Sequence, residues 1–502
     1  MTDADSADAV AAELTQESEL DMRSDLSFRA SRDLPFNVDK VFAWHERPGA
    51  LARLTPPWAQ PEVLSCNGTI HDGDSTTLRV KAGPLHFEWE ARHFDFKSGV
   101  VFKDEQVRGP FAKWIHEHRF SSLSQGTRAE DLIDFRLPGG ALGEVFGRTS
   151  VEKMLQRLFA HRYAALHSDL SFHAAYEGAP LRIVVAGASG LVGRSLCAFL
   201  STGGHSVVRL VRASSKAPPD AVGEEVFWDP YGKSIDKAAL GNVDAIINLA
   251  GENIAEKRWS PERKSNLLKS RVEVTKFLAS VAAELRPKPA VFINASAMGI
   301  YGERGDDVVD ETSPRGEGFL PELCEAWEAA TIAASAAGIR VVLPRISLVL
   351  TPQEGLLAKM LPAFRAGVGG RLGSGSQWMS WIALDDLVGV LHRALFDSRY
   401  QGPINVCTPE PLRNATFTQK LGKALGRPTF LPVPTIALKL ALGEMGQVAT
   451  SSTRMAPGQL LRLAFPFRFG KLEGALTYLL GISQLPQMTT DDRTATVSYD
   501  AA

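Results

Sequence analysis

The sequence is poor in cysteine and holds no long apolar run. Its four cysteines, Cys66, Cys197, Cys324 and Cys407, lie far apart and at no metal-ligand spacing, which favours reduced thiols in the cytoplasm. No apolar segment approaches the ~20 residues of a membrane span, and the acidic N-terminus lacks the apolar core of a secretory signal. These absences predict a cytoplasmic protein without a membrane partner.

The chain also lacks an excess of charge of either sign. Its 55 Lys and Arg residues nearly balance its 57 Asp and Glu residues, for a formal net charge of −2. Such a balance gives no indication of a nucleic-acid partner. We expect a small-molecule substrate instead, and a homo-oligomer stays open because the sequence does not determine the oligomeric state.

The length of 502 residues suggests about three domains, at ~150 residues each. Acidic or polar stretches that lack aromatic residues cannot bury enough surface to fold, so they mark the ends of the chain. The predicted division is a disordered acidic arm over 1–24, an aromatic-rich domain over 25–173, a linker over 174–180, an α/β domain over 181–408, a small helical domain over 409–482 and a polar tail over 483–502.

Residues 183–200 form the most informative segment, because they read as a buried strand, a glycine turn and a helix. Gly187, Gly190 and Gly193 have the spacing of a dinucleotide-binding turn: the first permits the bend, the second lets a pyrophosphate approach the backbone, and the third lets helix and strand pack closely. The helix N-terminus adds free N–H groups and a positive dipole. The expected cofactor contacts in this turn are Gly187, Ala188, Ser189, Gly190, Leu191, Val192 and Gly193.

The next strand, 206–212, predicts which dinucleotide binds. A site that prefers NAD places Asp or Glu near the end of this strand to accept from the ribose hydroxyl. This chain has Arg209 and Arg212 instead, and a guanidinium matches a phosphate in geometry and charge. NADP is therefore favoured over NAD, the alternative being that the arginines are merely solvated. Further cofactor contacts are expected where the strand at 243–251 ends, at Leu249, Ala250 and Glu252.

Strands and helices continue to alternate from residue 181 onward, and a strand over 290–302 ends near Ser296 and Tyr301. This alternation predicts an α/β fold with a doubly wound parallel sheet, whose ligands bind at the carboxyl ends of the strands.

The 25–173 domain shows a different pattern. Residues 114–120 alternate strictly between two faces, and a helix is predicted over 151–166. Strands closed by a C-terminal helix indicate a sheet wrapped on a helix, and the segment 39–58 resembles the opening of the START-like, helix-grip family. The resemblance implies an α+β domain that carries an apolar ligand; a domain that only folds, docks or regulates is the alternative.

Histidines in this domain raise the question of a metal. His116 and His118 stand two apart on one face of a strand, with His93 and His161 available. We favour the interpretation that they are polar members of a mixed lining, and no metal is expected.

The region from 181 to about 480 resembles the atypical extended short-chain dehydrogenase/reductases called NAD-dependent epimerase/dehydratase-like, and within them the subgroup sometimes named cell-division inhibitors. The resemblance implies a Rossmann domain with a small C-terminal cap, and a fused START-like domain is a longer architecture of the subgroup. It is carried by the glycine turn and by 248–254, 257–259, 270–272, 295–302, 324–330, 373–375 and 381–387, with 405–411, 425–428 and 442–445 in the cap.

Typical members of that family use a Tyr-x-x-x-Lys pair beside a serine or threonine, in which lysine lowers the tyrosine pKa. None of the seven tyrosines here is followed four residues later by lysine. Cys324 and Glu328 have that spacing in the corresponding helix, and a carboxylate would raise the thiol pKa. We therefore expect a remodelled catalytic set of Ser296, Tyr301, Cys324 and Glu328.

Three functions stay open. The first is an NADP-dependent oxidoreductase or epimerase that acts on an unidentified small substrate, for which a hydrophobic compound is one option. The second is a sensor or regulator that binds NADPH without turnover. The third is a carrier whose first domain presents an apolar ligand to the second. Nicotinamide oxidation with a carbonyl compound would support the first.

Overall fold

The computed structural model describes residues 25–82, 85–176, 178–214, 217–434, 436, 443–446 and 451–482. The predicted arm and tail, 1–24 and 483–502, lie outside the described residues. No helix within the described ranges is both long enough and apolar enough to cross a membrane.

The N-terminal domain is an antiparallel sheet that wraps around one long helix. The strands are β1 (Leu26–Leu34), β2 (Glu62–Asn67), β3 (Ser75–Ala82), β4 (Leu85–Lys97), β5 (Val101–Arg108), β6 (Lys113–Leu123) and β7 (Gly126–Arg136), in the order β1-β7-β6-β5-β4-β3-β2. Helices α1 (Val38–Glu46) and α2 (Ala50–Leu54) follow β1, and α3 (Gly140–His173) closes the domain. The long helix extends beyond the predicted 151–166 at both ends.

Alternation along the strands explains this packing. Trp114, His116 and Phe120 of β6 are buried against the helix side, whereas Glu117 and Arg119 face outward. One face of the sheet is therefore apolar and aromatic, as the period of two predicted. The α+β helix-grip prediction for this domain is confirmed.

The second domain is built on a parallel sheet. Its strands are β8 (Arg182–Ala186), β9 (Ser206–Val211), β10 (Glu224–Asp229), β11 (Ser234–Ile235), β12 (Ala245–Asn248), β13 (Val291–Asn294), β14 (Ser296–Ala297), β16 (Arg340–Ile346) and β20 (Gly402–Val406). The order runs β11-β10-β9-β8-β12-β13-β16, with β14 and β20 both paired to β16, and each pair except β10–β11 is parallel. The doubly wound Rossmann prediction is confirmed.

Helices cover both faces of this sheet, so its central strands are apolar throughout. Strands β12 and β13 are buried along their whole length, as expected for a parallel sheet packed on both sides. The helices are α4 (Leu191–Thr202), α5 (Lys237–Leu240), α6 (Pro261–Glu284), α7 (Phe319–Ala329), α8 (Ile332–Ala336), α9 (Gly355–Arg365) and α10 (Leu384–Phe396), with a 3-10 turn over Met298–Tyr301.

The C-terminal residues form a cap at the carboxyl edge of the sheet. Its helices are α11 (Asn414–Leu425), α12 (Gly458–Arg462) and α13 (Leu472–Leu479), with a 3-10 turn over Gly443–Met445. Two short strand pairs tie it to the Rossmann domain: β15 (Val308–Val309) with β22 (Arg454–Met455), and β18 (Trp378–Met379) with β21 (Leu412–Arg413). A third pair, β17 (Leu348–Leu350) with β19 (Trp381–Ala383), lies within the Rossmann domain.

The N-terminal domain packs directly on the Rossmann domain. Phe172 of α3 lies in the core cluster between the sheet and α10. Arg53 of α2 binds Asp169 of α3 and Asp385 of α10 at 2.7 and 3.0 Å, and all three side chains are largely buried. Each of these buried charges therefore has an ion-pair partner, which avoids the cost of an unpaired charge in the interior.

Candidate functional site

Two of the three glycines in the β8–α4 turn are required by close packing. Gly187 has a φ of +80°, and a Cβ there would lie 2.6 Å from the carbonyl carbon of Leu249. At Gly193 a Cβ would lie 2.2 Å from the carbonyl oxygen of Gly187. A larger residue at Gly193 would force helix α4 away from the turn, and one at Gly187 would force the turn away from the segment after β12, which explains both glycines without reference to a ligand.

Gly190 differs from the other two. An added Cβ would meet only the carbonyl oxygen of Gly187, at 3.4 Å, and the backbone is extended with a φ of −75°. Gly190 also stands at the N-cap of α4, where no side chain accepts a hydrogen bond from the first turn. The turn therefore presents free N–H groups beside open space, and it fits a pyrophosphate.

The structure separates the two arginines that the sequence places at a ribose phosphate. Arg209 lies directly opposite Glu225 in the β9–β10 register, and its buried guanidinium binds that carboxylate at 2.9 Å. The assignment of Arg209 to a phosphate is thus corrected, because its charge is already neutralised inside the sheet. Arg212 lies exposed just after β9.

The other predicted cofactor contacts line the exit of β12. Leu249 donates its N–H to Ala186 at 2.9 Å, which holds the segment against the glycine turn. The Ala250 N–H is bound at 3.2 Å by the side-chain oxygen of Asn248. Glu252 forms an ion pair with Arg263, so its carboxylate is engaged by the protein itself.

Three of the predicted catalytic residues meet around an arginine that the sequence analysis missed. The Ser296 hydroxyl donates to Oε1 of Glu328 at 2.6 Å. Arg345 donates to both oxygens of the same carboxylate, through Nε at 2.9 Å and Nη2 at 3.0 Å. Its Nη1 also donates to the Tyr301 hydroxyl at 3.0 Å. Arg345 stands near the carboxyl end of β16, and an arginine at that position in a parallel sheet is the signal that could have identified it.

Tyr301 is enclosed by protein. Its ring is fully buried, and its hydroxyl donates to Asn405 at 2.6 Å while it accepts from Arg345. Burial raises the pKa of Tyr301 to about 12, although Arg345 acts in the opposite direction. A buried phenol with both hydrogen-bonding roles in use is suited to holding Arg345 in place rather than to proton exchange with a substrate.

Cys324 lies behind the same cluster. The thiol is buried on α7, and burial, followed by the nearby Glu328, raises its pKa to about 12. A thiol that stays protonated in an apolar environment behaves as a small hydrophobic group. The structure therefore brings all four predicted catalytic residues together, with Cys324 as an apolar member of the group.

A polar cavity of about 360 Å³ lies between the Rossmann domain and the cap. In the sequence its first lining residue, Glu303, follows Tyr301 by two positions. Charged, amide and hydroxyl side chains form most of its wall, together with glycines: Glu303, Gly305, Asp306, Leu372, Gly373, Ser374, Ser376, Gln377, Arg413 and Ser452. Trp378, which has Arg413 and Arg454 over its ring, stands at the same place in the fold.

Comparison with protein families divides the chain into three parts. Residues 183–407 match the NAD dependent epimerase/dehydratase family. Residues 34–159 match the family described as polyketide cyclase / dehydrase and lipid transport, and residues 433–479 match a domain of unknown function. The three matches confirm the architecture that the resemblance implied.

Individual relatives agree with this division. An epimerase family protein of Mycobacterium bovis is 43% identical over 297 residues, which cover 59% of this chain and 96% of the relative. A crystal structure of the nucleoside-diphosphate sugar epimerase from Corynebacterium glutamicum is 34% identical with a TM-score of 0.74, and the likeness covers 91% of both chains. The human epimerase family protein SDR39U1, crystallised with NADPH, is 30% identical with a TM-score of 0.54 over 60% of this chain and 99% of its own. The chain therefore belongs to the NAD dependent epimerase/dehydratase family.

Proposed function

We propose that this protein binds NADP(H) at the β8–α4 turn and uses NADPH to reduce, or NADP⁺ to oxidise, a small polar substrate. The observation that carries the proposal is the contrast among the three glycines. Gly187 and Gly193 are fixed by packing, whereas Gly190 opens onto the uncapped N-terminus of α4. Among the described residues, no packing contact requires a glycine there, but a phosphate against the backbone does.

Exposed Arg212 supports NADPH over NADH. It follows the strand that lies beside β8, where the adenosine ribose of a bound dinucleotide is recognised. In the sequence, residues 209–219 contain no Asp or Glu, and Glu225 of the neighbouring strand is paired with Arg209. The human relative crystallised with NADPH is in accord with this choice.

Ser296 and Glu328 would transfer the proton of the substrate hydroxyl. In the oxidation direction a substrate hydroxyl gives its proton to Ser296, and the Ser296 proton moves to the Glu328 carboxylate along the 2.6 Å hydrogen bond. Arg345 keeps that carboxylate oriented through both of its oxygens. The nucleotide, when bound, supplies the hydride acceptor or donor.

The cavity between the Rossmann domain and the cap favours a polar substrate over the hydrophobic one that the sequence left open. Its wall offers Glu303, Asp306 and Arg413, which suit hydroxyl or phosphate groups rather than a hydrocarbon. The Corynebacterium relative named as a nucleoside-diphosphate sugar epimerase points to the same class. We therefore place the substrate among hydroxylated compounds that carry a polar or charged handle.

A titration followed by a turnover assay tests the proposal. Fluorescence should show NADPH binding to the purified chain more tightly than NADH, and a panel of sugar nucleotides and polar carbonyl compounds should then contain one that changes nicotinamide absorbance. Absence of binding by both nucleotides would overturn the cofactor assignment.

The burial of Tyr301 and Cys324 favours a second candidate, a protein that binds NADPH without turning it over. In that case the Ser296–Glu328–Arg345 cluster would be a structural support of the cap. Tight NADPH binding with no turnover across the panel, unchanged in Glu328→Gln, would select this second function.

A further inference from the structure

A cluster of imidazoles and carboxylates lies inside the N-terminal domain, far along the chain from the site above. Asp104 of β5, His116 and His118 of β6 and Asp131 of β7 share the face of the sheet that packs on α3. Atoms of Asp104, His116 and His118 that are able to bind a metal lie within 4.8 Å of one another. The sequence analysis considered the two histidines as metal ligands but not Asp104. It also considered His161, which instead stacks on Tyr478.

The spacing within this cluster suits ligands of one ion. Oδ2 of Asp104 lies 3.3 Å from Nδ1 of His116 and 3.5 Å from Nε2 of His118. Two ligands bound tetrahedrally to zinc at 2.0–2.1 Å stand roughly 3.4 Å apart. Both separations are long for a charge-assisted hydrogen bond and close to that edge length.

Asp131 binds the opposite nitrogen of each ring. Its Oδ1 lies 2.9 Å from Nε2 of His116 and 2.8 Å from Nδ1 of His118, and its Oδ2 accepts from the Tyr163 hydroxyl at 2.6 Å. Each ring thus directs one nitrogen to Asp131 and the other to Asp104. A metal-binding histidine commonly has this arrangement, in which a carboxylate behind the ring fixes the tautomer and leaves the other nitrogen free to coordinate.

Aromatic contacts hold both rings in place. Phe102 stacks on His118 with 4.2 Å between ring centroids, and Phe159 of α3 meets His116 edge-on at 5.6 Å. On the neighbouring strand His93 lies opposite Asp104, and its buried Nδ1 has no hydrogen-bond partner among the described residues. The ligands are therefore preorganised, and one further nitrogen on the same face is unsatisfied.

A small cavity adjoins the cluster. It measures about 20 Å³, enough to hold one water molecule, and His118 and Asp131 contribute to its wall together with His45, Arg162 and Tyr163. The cavity lies on the Asp131 side of the rings, where a water molecule can contact the carboxylate that orients them.

We propose that Asp104, His116 and His118 bind a divalent zinc ion, with Asp131 as the carboxylate that orients both histidines. One aspartate and two neutral imidazoles are hard and borderline ligands of the kind that zinc accepts. The ion would link strands β5 and β6 inside the domain and leave one position to water.

Metal titration of the full chain tests the proposal. After dialysis against a chelator, the protein should bind one equivalent of Zn²⁺ by calorimetry, and Co²⁺ should give the intense visible absorption of a tetrahedral site. Zinc should also raise the thermal midpoint of the wild-type chain. No saturable binding, or an octahedral cobalt spectrum, would overturn the assignment without any variant.

Variants locate the ion. His116→Gln and His118→Gln should each abolish the cobalt spectrum, whereas His86→Gln, at an exposed histidine of β4, should keep it. Asp131→Asn should weaken zinc about 10- to 100-fold, as expected for a group behind the ligands. Zinc retained by both histidine variants would overturn the proposal. NADPH titration reports on the Rossmann domain, whereas zinc binding reports on the N-terminal domain. The cofactor proposal and the zinc proposal can therefore fail independently.

Discussion

Arg345 binds both carboxylate oxygens of Glu328, at 2.9 and 3.0 Å, and in doing so links β16 to α7. Glu328 has the helix position at which the wider family, by the resemblance, places a lysine four residues beyond a tyrosine. The positive charge near Ser296 comes instead from Arg345 on strand β16, and it orients the Glu328 carboxylate that the Ser296 hydroxyl contacts.

Replacing Glu328 by glutamine should lower kcat about 10²- to 10⁴-fold, because an amide cannot accept the proton that Ser296 passes on. The affinity for NADPH should stay unchanged, since the glycine turn is untouched. Glu325→Gln, on the exposed side of the same helix, is the matched control. Steady-state kinetics and nucleotide titration give both values, and equal loss in the two variants would contradict the assignment.

Tyr301→Phe should leave kcat nearly unchanged and lower the stability. The variant removes a partner from Asn405 and from Arg345 inside the protein, at a cost of about 1–3 kcal/mol. Thermal unfolding together with kinetics checks this. A large fall in kcat at an unchanged thermal midpoint would show that the hydroxyl does exchange protons with substrate.

Alanine at two glycines of one turn should give opposite results. Gly190→Ala should keep the thermal midpoint, because the methyl group has room, and weaken NADPH about tenfold or more by occupying the phosphate position. Gly193→Ala should lower the midpoint, because its methyl group would strike the Gly187 carbonyl and cost roughly 1–3 kcal/mol. Calorimetry and titration separate the two effects, and matching behaviour of the two variants would argue against a phosphate at Gly190.

Arg212→Ala should weaken NADPH by ~10- to 100-fold, the value of a charge-assisted contact to a phosphate. NADH lacks that phosphate and should bind as before. Arg399→Ala, at an exposed arginine paired with Asp397, serves as the control for loss of one positive charge. Equal loss for both nucleotides would refute the specific contact.

His161 should make the protein sensitive to acid. Burial lowers the pKa of His161 to about 3, and neither ring nitrogen has a hydrogen-bond partner among the described residues. Because the unfolded chain takes up a proton near pH 6.5 and the folded chain does not, stability is lost as the pH falls below 6.5, by about 2 kcal/mol at pH 5.

His161→Phe should therefore reduce the difference in thermal midpoint between pH 8 and pH 5, as measured by calorimetry. His71→Phe, at an exposed histidine whose ring packs at a tilt against Phe96, is the control and should keep the wild-type difference. An unaltered pH dependence in the first variant would contradict the role of burial.

The features that the sequence predicts well are those set by local pattern. Glycine spacing, β-branched runs and strict alternation depend on residues close along the chain, and they define both sheets and the β8–α4 turn. The spacing of Cys324 and Glu328 on one helix likewise follows from the helical repeat and places both near Ser296.

Contacts between distant elements could not be predicted in the same way. The pairing of Arg209 with Glu225 follows from the register of β9 and β10, which the sequence alone does not give. Arg345 lies opposite Ser296 only because β16 pairs with β14, and Asp104 reaches the two histidines only through the pairing of β5 with β6. In each case the partner is set by tertiary arrangement rather than by spacing.

The Arg53 ion pairs have a consequence for how the two large domains behave together. Arg53 is clamped between Asp169 and Asp385, and Asp385 is bound in turn by Arg468 of the cap. The segment between the domains therefore cannot serve as a hinge. Rotation of one domain against the other would separate the buried Arg53 guanidinium from Asp385. A protease that cut this segment would leave fragments that still migrate as one particle and melt in a single step.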